Sequence, residues 1–466
     1  MPVNLNDALR WESASADEIA MLNDLQGNIL KGHGRHHTAN LFFRFNAAQK
    51  PAALQWVHQM AARLTPALTQ LRDAKKFHAT GVGGGPLFTL LISGAGVTTL
   101  GVGAKFPNDA TFLAGMKTRQ AVLADPPSAQ WDEPFKTGVH ALLLIAANSP
   151  EEVQSERFDI LTALPAGGAV TLVGEEIGLA QFNKNDDGIE HFGYVDGRSQ
   201  PLLLKEDLDQ EVAEDTGLSL WDAKFPLSQV LVPQPGAASP NSHGSFFVFR
   251  KLEQNVQAFK EREQMLADAL NMTGDDRERA GAMAVGRFED GTPVILQKGD
   301  GMHHPVPNNF NYDEDPAGAK CPFHAHVRKV NPRGPAFRAP IMARRGITYG
   351  QRQADHEDRP TSGVGLLFMA YQHSLTAQFE FTQQSWANNN NFQQPATGLD
   401  PVMGQGPNQA GGQNWHCPWG TEPGQPGVGS PGAVALSKKA FDFSHFVTLR
   451  GGDYFFAPAI STLANL

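Results

Sequence analysis

The chain has 466 residues, a formal net charge of −10, 41% hydrophobic residues and 29 Phe. This length predicts two or three domains, and the composition is that of a globular protein with a sizeable aromatic core. The negative charge argues against nucleic acid or an anionic membrane as the main partner, because both bind basic surfaces.

The cysteine content and the N-terminus bear on the compartment. Two cysteines, Cys321 and Cys417, in a chain of this size fit reduced intracellular usage better than a disulfide scaffold. The N-terminus shows no basic segment followed by an apolar one, as a signal peptide would have. The longest apolar run, residues 139–147, is too short to span a bilayer. We therefore expect a soluble, cytoplasmic protein with no membrane partner.

Apolar periodicity predicts alternating helices and strands in the first half. The predicted elements are a helix over 16–25, an aromatic strand over 41–45, a helix with Leu54, Val57, Met60 and Leu64 on one face, and strands over 89–93 and 139–147. Another helix should begin at Ser149-Pro150-Glu151-Glu152, because Ser caps, Pro favours the first turn and Glu152 completes a capping box.

The second half repeats this order. The predicted elements are a strand over 245–249 with the same Phe-Phe-X-Phe pattern, a helix carrying Val256, Phe259, Leu266 and Leu270, and strands over 365–371 and 446–456. The repetition predicts a duplicated α+β protein, divided into residues 1–235 and 236–466.

Two stretches are predicted to lack regular structure. Residues 404–432 are rich in Gly, Pro and Gln, which predicts a long surface loop. The acidic residues 313–315 predict a solvated turn rather than a metal site.

Residues 321–350, CPFHAHVRKVNPRGPAFRAPIMARRGITYG, combine His324 and His326 with several arginines. A neutral imidazole is a common ligand of metals and haem iron, and arginine binds carboxylates or phosphates through its planar fork. The segment fits a His-ligated centre with an anionic group beside it. Taken alone, the segment is more often explained by two surface or hydrogen-bonded histidines and by arginines that are solvated or in ordinary ion pairs.

A second motif makes the interpretation specific. The Gly-X-X-Asp-Gly of FGYVDGRSQP (192–201) resembles the signature of the dye-decolourising (DyP-type) haem peroxidases. CPFHAHVRKVNPR resembles the proximal-histidine segment of that family, and MARRGITYG resembles its distal-arginine segment. Further similar stretches are LQGNILKGHGR (25–35), GLLFMAYQ (365–372) and GGDYFFAPA (451–459). The resemblance covers nearly the whole chain.

The resemblance implies a fold and an activity. The fold would be α+β, with two ferredoxin-like domains of antiparallel sheets and peripheral helices. Haem b would be held mainly by the C-terminal half. The enzyme would reduce hydrogen peroxide while oxidising dyes, phenolics or similar small aromatic donors.

The resemblance also assigns the reacting groups. His326, which precedes Val-Arg-Lys, matches the axial ligand, although the residues alone would leave His324 and His326 equal. Asp196 matches the distal acid/base and Arg344 the distal cation, with Arg345 a weaker candidate. An ordinary Asp carboxyl has a pKa of about 3.9, so an Asp in this role predicts turnover best at acidic pH.

Further residues are expected to bind or support the cofactor. Arg333, in Asn-Pro-Arg, resembles the arginine that binds a haem propionate. Gly197 allows close backbone approach to a flat cofactor. A carboxylate should accept the other N–H of the proximal histidine. Asp400, in GLDPVMG, is preferred for this role, and Asp442, in FDFS, is the alternative.

Alternation along the strand 365–372 divides its side chains between two faces. Leu366 and Phe368 are the favoured pair for the distal pocket, and Leu367 and Met369 are the alternative.

Dyes too bulky for a buried haem would need surface aromatics to pass electrons. Tyr349 and Trp386 match positions where the family has such residues, and core packing is the alternative interpretation of both.

Two other functions remain open at this point. One is a haem-binding or haem-carrying protein of the same fold with little turnover, against which the pair Asp196 and Arg344 argues. The other is a non-haem metal oxygenase built on His324 and His326, which would need a facial carboxylate ligand that no spacing supplies.

Overall fold

The computed structural model describes residues 2–214, 216–302, 305–352, 358–416, 419–420 and 438–466. The α-helices in these ranges are α1 (Ala16–Asp24), α2 (Lys50–Ala61), α3 (Ala67–Thr80), α4 (Gly94–Leu100), α5 (Ala110–Ala114), α6 (Gln120–Leu123), α7 (Pro150–Thr162), α8 (Lys205–Ala213), α9 (Val256–Ala269), α10 (Arg279–Val285), α11 (His326–Val330) and α12 (Ile460–Leu463). Two π-helical segments span Leu375–Glu380 and Thr382–Ala387.

The strands are β1 (His37–Phe45), β2 (Leu87–Ser93), β3 (Ala141–Ala147), β4 (Val170–Leu179), β5 (Gln181–Phe182), β6 (Gly188–Ile189), β7 (Val232–Pro233), β8 (His243–Gln254), β9 (Ala343–Arg344), β10 (Ile347–Tyr349), β11 (Gly365–Gln372), β12 (Gln413–Trp415), β13 (Lys439–Phe441) and β14 (Val447–Ala457). The predicted strands and helices occur at the expected places, with α2 ending before Leu64, which is buried in the following turn.

Local sequence explains where α7 begins. The Ser149 hydroxyl accepts the backbone N–H of Glu152, and the Glu152 carboxylate accepts that of Ser149. This capping box satisfies two N–H groups that have no partner inside the helix, and Pro150 occupies the first turn, where its missing N–H costs nothing. The predicted helix start is confirmed.

The main sheet closes on itself. Its antiparallel strands run in the order β8, β14, β2, β3, β1, β4, β10, β11 and back to β8. Four of these strands lie in residues 1–235 and four in residues 236–466. Closure pairs the strands around the ring and leaves it without a long exposed edge.

Aromatic side chains connect the two halves inside this barrel. The ring of Phe42 on β1 meets that of Phe249 on β8 edge-to-face, with centroids 5.1 Å apart. Every residue of β3 is buried, as its continuous apolar run predicts for a strand covered on both faces. A second core packs α9 and α10 against the segment around Cys321 and Ala325, outside the barrel.

The observed fold has antiparallel strands with helices around them, so the predicted α+β class is confirmed. The two halves share one barrel and one core. The division at residues 235 and 236 stays a prediction.

Two predictions about irregular segments are wrong in part. Within the predicted surface loop, β12 pairs with β13, and Trp415 is fully buried with its ring 4.3 Å from that of His324. Composition hid this because one aromatic side chain suffices to anchor the strand. Residues 417–418 and 421–432 lie outside the described ranges, so the structure says nothing of Cys417.

Asp315 does not belong to a solvated turn. It is buried, pairs with Arg328 at 2.7 Å and accepts backbone N–H groups of the segment that follows it. A carboxylate surrounded by that many donors is stabilised in a buried position.

The search for membrane-crossing segments, confined to the described ranges, finds no helix with the length and apolar character that a bilayer requires.

Candidate active site

A cavity of about 580 Å³ lies between the barrel and the helices packed outside it. Alternate residues of β8, namely Arg250, Leu252 and Gln254, form part of its wall. Residues 194–200 form another part, and α11 contributes His326. The segments that the sequence analysis singled out therefore meet in one space.

His326, the first residue of α11, lines this cavity. Its Nδ1 lies 3.0 Å from Oδ2 of Asp400, whose side chain is fully buried. Burial lowers the pKa of His326, but the negative charge and hydrogen bond of Asp400 outweigh it, so the net pKa is raised. Burial conversely raises the pKa of Asp400, and His326 together with the N–H groups of Val402 and Met403 lowers it overall. Nε2 is thereby the ring nitrogen left for a metal.

The alternative candidates for the ligand and its carboxylate, His324 and Asp442, lie elsewhere. His324 is buried against Trp415, lines a small separate cavity of about 50 Å³, and has its pKa held well below the ordinary value by burial. Asp442 accepts hydrogen bonds from Asn408 and Ser444. The structure thus pairs His326 with Asp400.

Asp196 is carried by a loop whose backbone bends sharply at Gly193 and Gly197. Gly197 has φ +78, a left-handed conformation that other residues adopt only with strain. Its N–H donates to Oδ1 of Asp196 at 2.6 Å. The side chain is exposed towards the cavity, and Oδ2 remains for another partner.

Arg344, in β9, lines the same cavity. Its backbone N–H donates to Oε1 of Gln200 at 3.0 Å, and one terminal nitrogen donates to the carbonyl of Arg198 at 2.8 Å. Burial lowers the pKa of Arg344, and the negative charge of Asp196 opposes that shift. The stretch that follows Asp196 therefore also fixes Arg344.

The guanidinium groups of Arg345 and Arg333 donate hydrogen bonds to other residues of the protein. Arg345 donates to the backbone carbonyls of Asn28, Ile29 and Arg344. Arg333 lines the cavity, and its terminal nitrogens donate to Ser199, Asn308 and the carbonyl of Phe310. Burial lowers the pKa of Arg333 to about 10.

Strand β11 places its two faces as alternation predicts. Leu366 and Phe368 line the cavity. Leu367 and Met369 point into the barrel core and are fully buried. The pair favoured from the sequence is the one that faces the site.

The site contains residues that sequence reasoning missed. Arg198 binds Glu211 through two hydrogen bonds of 2.9 and 2.8 Å, while its carbonyl holds Arg344. Gln200 fixes the backbone of Arg344, and Glu190 lines the cavity close to Asp196. Both Arg198 and Gln200 stand within the quoted motif FGYVDGRSQP, so their position in it was the available signal.

Comparisons with known proteins agree on one family. Residues 24–173 match the model described as DyP dimeric alpha+beta barrel domain, and residues 226–398 match that described as Dyp-type peroxidase, C-terminal. The multifunctional dye peroxidase DyP2 of Amycolatopsis sp. is 44% identical over the full length of both chains, and its structure superposes with a TM-score of 0.92. The chain belongs to the DyP-type peroxidase family.

Other members of the family are also similar over most of their length. The Anabaena sp. DyP-type peroxidase structure has a TM-score of 0.89 at 38% identity and covers 98% of this chain and 97% of its own. Peroxidase 2 of Mycetinis scorodonius is 30% identical and covers 99% of this chain and 90% of its own. The chain is thus a dye-decolourising peroxidase that uses hydrogen peroxide, and haem b is its cofactor.

The residues of the cavity fit haem b. The volume falls in the range of cofactor sites, and the walls are largely apolar, with Val195, Leu366 and Phe368 among them. Nδ1 of His326 is bound to a carboxylate, and a carboxylate is one of the usual partners of the second ring nitrogen of a metal-ligating histidine. His326 would hold the iron, and the apolar side chains would cover the macrocycle.

Of the two interpretations of Tyr349 and Trp386, surface aromatics or core packing, the structure shows core packing. Both side chains are buried, 6% and 3% exposed respectively. The ring of Tyr349 is packed by the side chain of Lys251, whose Nζ lies 5.1 Å from the ring centroid. Trp386 is covered by Phe337, Phe381 and Phe392, whose rings lie within 6.0 Å.

The remaining alternatives are not supported. Among the described residues, no group of three or more His, Cys, Asp or Glu side chains is arranged to hold a metal ion. His324 and His326 line different cavities, which removes the basis of the non-haem oxygenase. The comparisons favour the DyP-type peroxidase over a haem carrier.

Proposed function

We propose that His326 is the axial haem ligand and that Asp196 and Arg344 carry out the acid/base and electrostatic parts of peroxide reduction. The observation that supports this most directly is that His326, Asp196 and Arg344 line one cavity, with Asp400 bound to Nδ1 of His326. The charges of Asp196 and Arg344 both act on the pKa of His326. When bound, haem supplies the redox-active iron at which the peroxide O–O bond is split.

Asp196 moves the proton. As a carboxylate, Asp196 would take a proton from one peroxide oxygen and return it to the departing oxygen. The bond from the N–H of Gly197 to Oδ1 restricts rotation of the carboxyl group in the cavity wall. The same group thus serves as base and then as acid.

Arg344 stabilises the negative charge that develops on the departing oxygen. It needs no change of protonation, and its backbone and one terminal nitrogen are fixed by Gln200 and Arg198. A donor held in place before the reaction costs no reorganisation when the charge appears.

Asp400 supports the ligand from the other side. Accepting the Nδ1–H of His326 fixes the tautomer and makes Nε2 a stronger donor to iron. Asp400 is itself held by the N–H groups of Val402 and Met403, at 2.8 and 2.9 Å.

Small phenols are the proposed reducing substrates, together with dyes. A related dye-decolourising peroxidase, 28% identical with a TM-score of 0.71, has been crystallised as a complex with 2,6-dimethoxyphenol. For donors too large for the cavity, Trp386 is the better candidate for an electron path. Thr382 and Gln383 of the same π-helical segment line the cavity, and Phe381, which is 40% exposed, packs on Trp386.

The experiment that tests this function is a stopped-flow absorption measurement of the haem-loaded protein mixed with hydrogen peroxide at mildly acid pH. We expect a Soret band that shifts on mixing and returns when a phenolic donor is added. The same shift should slow when Asp196 is replaced by Asn. A Soret band that ignores peroxide would contradict the proposal.

A further inference from the structure

Glu190 occupies a special position in the loop that carries Asp196. Its backbone N–H donates to the carbonyl of Tyr194 at 3.2 Å, and its carbonyl accepts the N–H of Gly193 at 2.9 Å. The N–H of Asp196 in turn donates to the carbonyl of Gly188 at 2.9 Å. Residues 188–196 therefore form a closed turn, with Glu190 on one side and Asp196 at its end.

The carboxylate of Glu190 holds the inside of this turn. Oε2 accepts the N–H of Phe192 at 2.8 Å, and Oε1 accepts the N–H of Tyr194 at 3.1 Å. Both N–H groups belong to the short stretch between Glu190 and Asp196. Two hydrogen bonds accepted by one side chain fix the backbone conformation of this stretch.

The same carboxylate connects the turn to the barrel. The side-chain amide of Gln254 donates to Oε2 of Glu190. Gln254 is the last residue of β8, on the face that presents Arg250 and Leu252 to the cofactor cavity. The bond therefore sets the distance between the turn and the wall on which the cofactor would lie.

The turn is also attached on its opposite side. The ring of Phe192 stacks on that of Phe259 in α9, with centroids 3.9 Å apart and planes 9° apart. The hydroxyl of Tyr194 donates to Glu263 in the same helix. The turn thus bridges α9 and β8, and Glu190 makes the attachment on the β8 side.

Keeping a carboxylate at this place is costly. Burial raises the pKa of Glu190 to about 7, against three hydrogen bonds that lower it, and the negative charge of Asp196 adds to the increase. A neutral or apolar side chain would avoid the desolvation cost. What the carboxylate provides is three acceptor contacts in fixed directions.

We propose that Glu190 is a positioning residue for the peroxide reaction: by binding Phe192, Tyr194 and Gln254 it holds the turn 188–196 at the distance from the barrel at which Asp196 reaches the peroxide. This inference rests on the proposed function of Asp196.

Hydrogen exchange tests the structural half of the inference. In Glu190→Gln, the single side-chain carbonyl can accept only some of the three hydrogen bonds that Phe192, Tyr194 and Gln254 donate. The new NH₂ group is itself a donor, so it cannot accept the others. We expect backbone amides of residues 189–197, followed by mass spectrometry, to exchange about tenfold or more faster. Gln254→Met removes only the hydrogen bond from β8 to Glu190, so the exchange of these amides should increase by a smaller factor. This variant replaces Glu190→Gln in the test if Glu190→Gln fails to fold. Glu253→Gln is the matched control, because its carboxylate accepts the N–H of Gly363 instead.

Peroxide kinetics test the functional half. We expect the peroxide-dependent Soret change of haem-loaded Glu190→Gln to be about 10- to 100-fold slower, the usual cost of removing a residue that orients a functional group. Haem affinity and the KM for a phenolic donor should stay unchanged. Glu190→Ala, which removes every acceptor, should be at least as slow as Glu190→Gln.

The outcomes separate this inference from the role of Asp196. Unchanged exchange in both Glu190→Gln and Gln254→Met overturns the inference, and so does faster exchange with an unaltered peroxide rate. If Asp196→Asn leaves the peroxide rate unchanged, the proposed role of Asp196 fails instead, whatever Glu190→Gln does to exchange.

Discussion

Nδ1 of His326 and Oδ2 of Asp400 are 3.0 Å apart, and the carboxylate is fully buried. The sequence left two carboxylates for this place, and the structure puts Asp442 on Asn408 and Ser444 instead. A buried carboxylate bound to an imidazole fixes which ring nitrogen is free, which is the first requirement of a haem ligand.

Asp400→Asn should therefore weaken haem binding about 10- to 100-fold, because the amide either loses the Nδ1–H bond or accepts it without a charge. Haem transfer to an excess of apomyoglobin measures the change. Asp442→Asn is the matched control and should bind haem normally. Equal losses in the two variants would contradict the assignment.

His326→Ala should abolish the Soret band of the reconstituted protein, since the axial ligand is lost. His324→Ala should keep the band. Its cost should appear in the free energy of unfolding, about 1–3 kcal/mol, because the imidazole packs on Trp415 in a buried contact. A Soret band retained by His326→Ala and lost by His324→Ala would reverse the ligand assignment.

Asp196→Asn should bind haem as the wild type does, because no part of the cavity wall is removed. The peroxide-dependent Soret change should slow about 10²- to 10⁴-fold, the usual contribution of a positioned acid/base. Asp209→Asn, at an exposed ion pair with Arg10, is the control and should leave the rate unaltered. An unaltered rate in Asp196→Asn would remove this residue from the reaction.

Stability should decrease when the pH falls below 6.5. His191 is fully buried, its Nε2 donates to the carbonyl of Tyr349 at 2.8 Å, and burial lowers its pKa to about 4. The unfolded chain takes up this proton below its ordinary pKa and the folded chain does not, so the stability present above pH 6.5 is lost as the pH drops towards 4.

For His191 this amounts to about 2 kcal/mol between pH 7.5 and pH 5. Urea unfolding at the two pH values measures it. His191→Gln keeps a donor for the carbonyl of Tyr349 and cannot titrate, so its pH dependence should be smaller by that amount. An identical dependence in wild type and variant would show that His191 is not the group responsible.

Trp386→Phe should slow the oxidation of a bulky dye while leaving that of a small phenol unchanged, because only the dye depends on a path outside the cavity. Steady-state rates with the two donors provide the comparison. Tyr349→Phe serves as a second variant for the same comparison. The buried hydroxyl of Tyr349 has no hydrogen-bond partner among the described residues, so its removal breaks no hydrogen bond there. Equal slowing of both donors would indicate a packing role for Trp386.

Much of the site followed from short sequence patterns. The capping box at Ser149 and the alternation along β11 act over a few residues, so the chain itself shows them. The residues of the two peroxidase motifs were placed together by resemblance, and the structure brings them into one cavity.

What the sequence missed depends on contacts between distant segments. The sequence left surface and core open for Tyr349, because its ring packs on Lys251 of β8, which is distant in the chain. The burial of Asp315 depends on Arg328, and that of Trp415 on His324. Local composition carries no record of such pairings.

The order of the barrel strands has a consequence for how the enzyme is made. The last strand in the sequence, β14, sits between β8 and β2, and Val447 at its start lines the cofactor cavity. A nascent chain that has not yet released residues 447–457 from the ribosome has a gap in the barrel wall and an incomplete cavity. The wall of the haem cavity is therefore complete only after residues 447–457 have paired with β8 and β2.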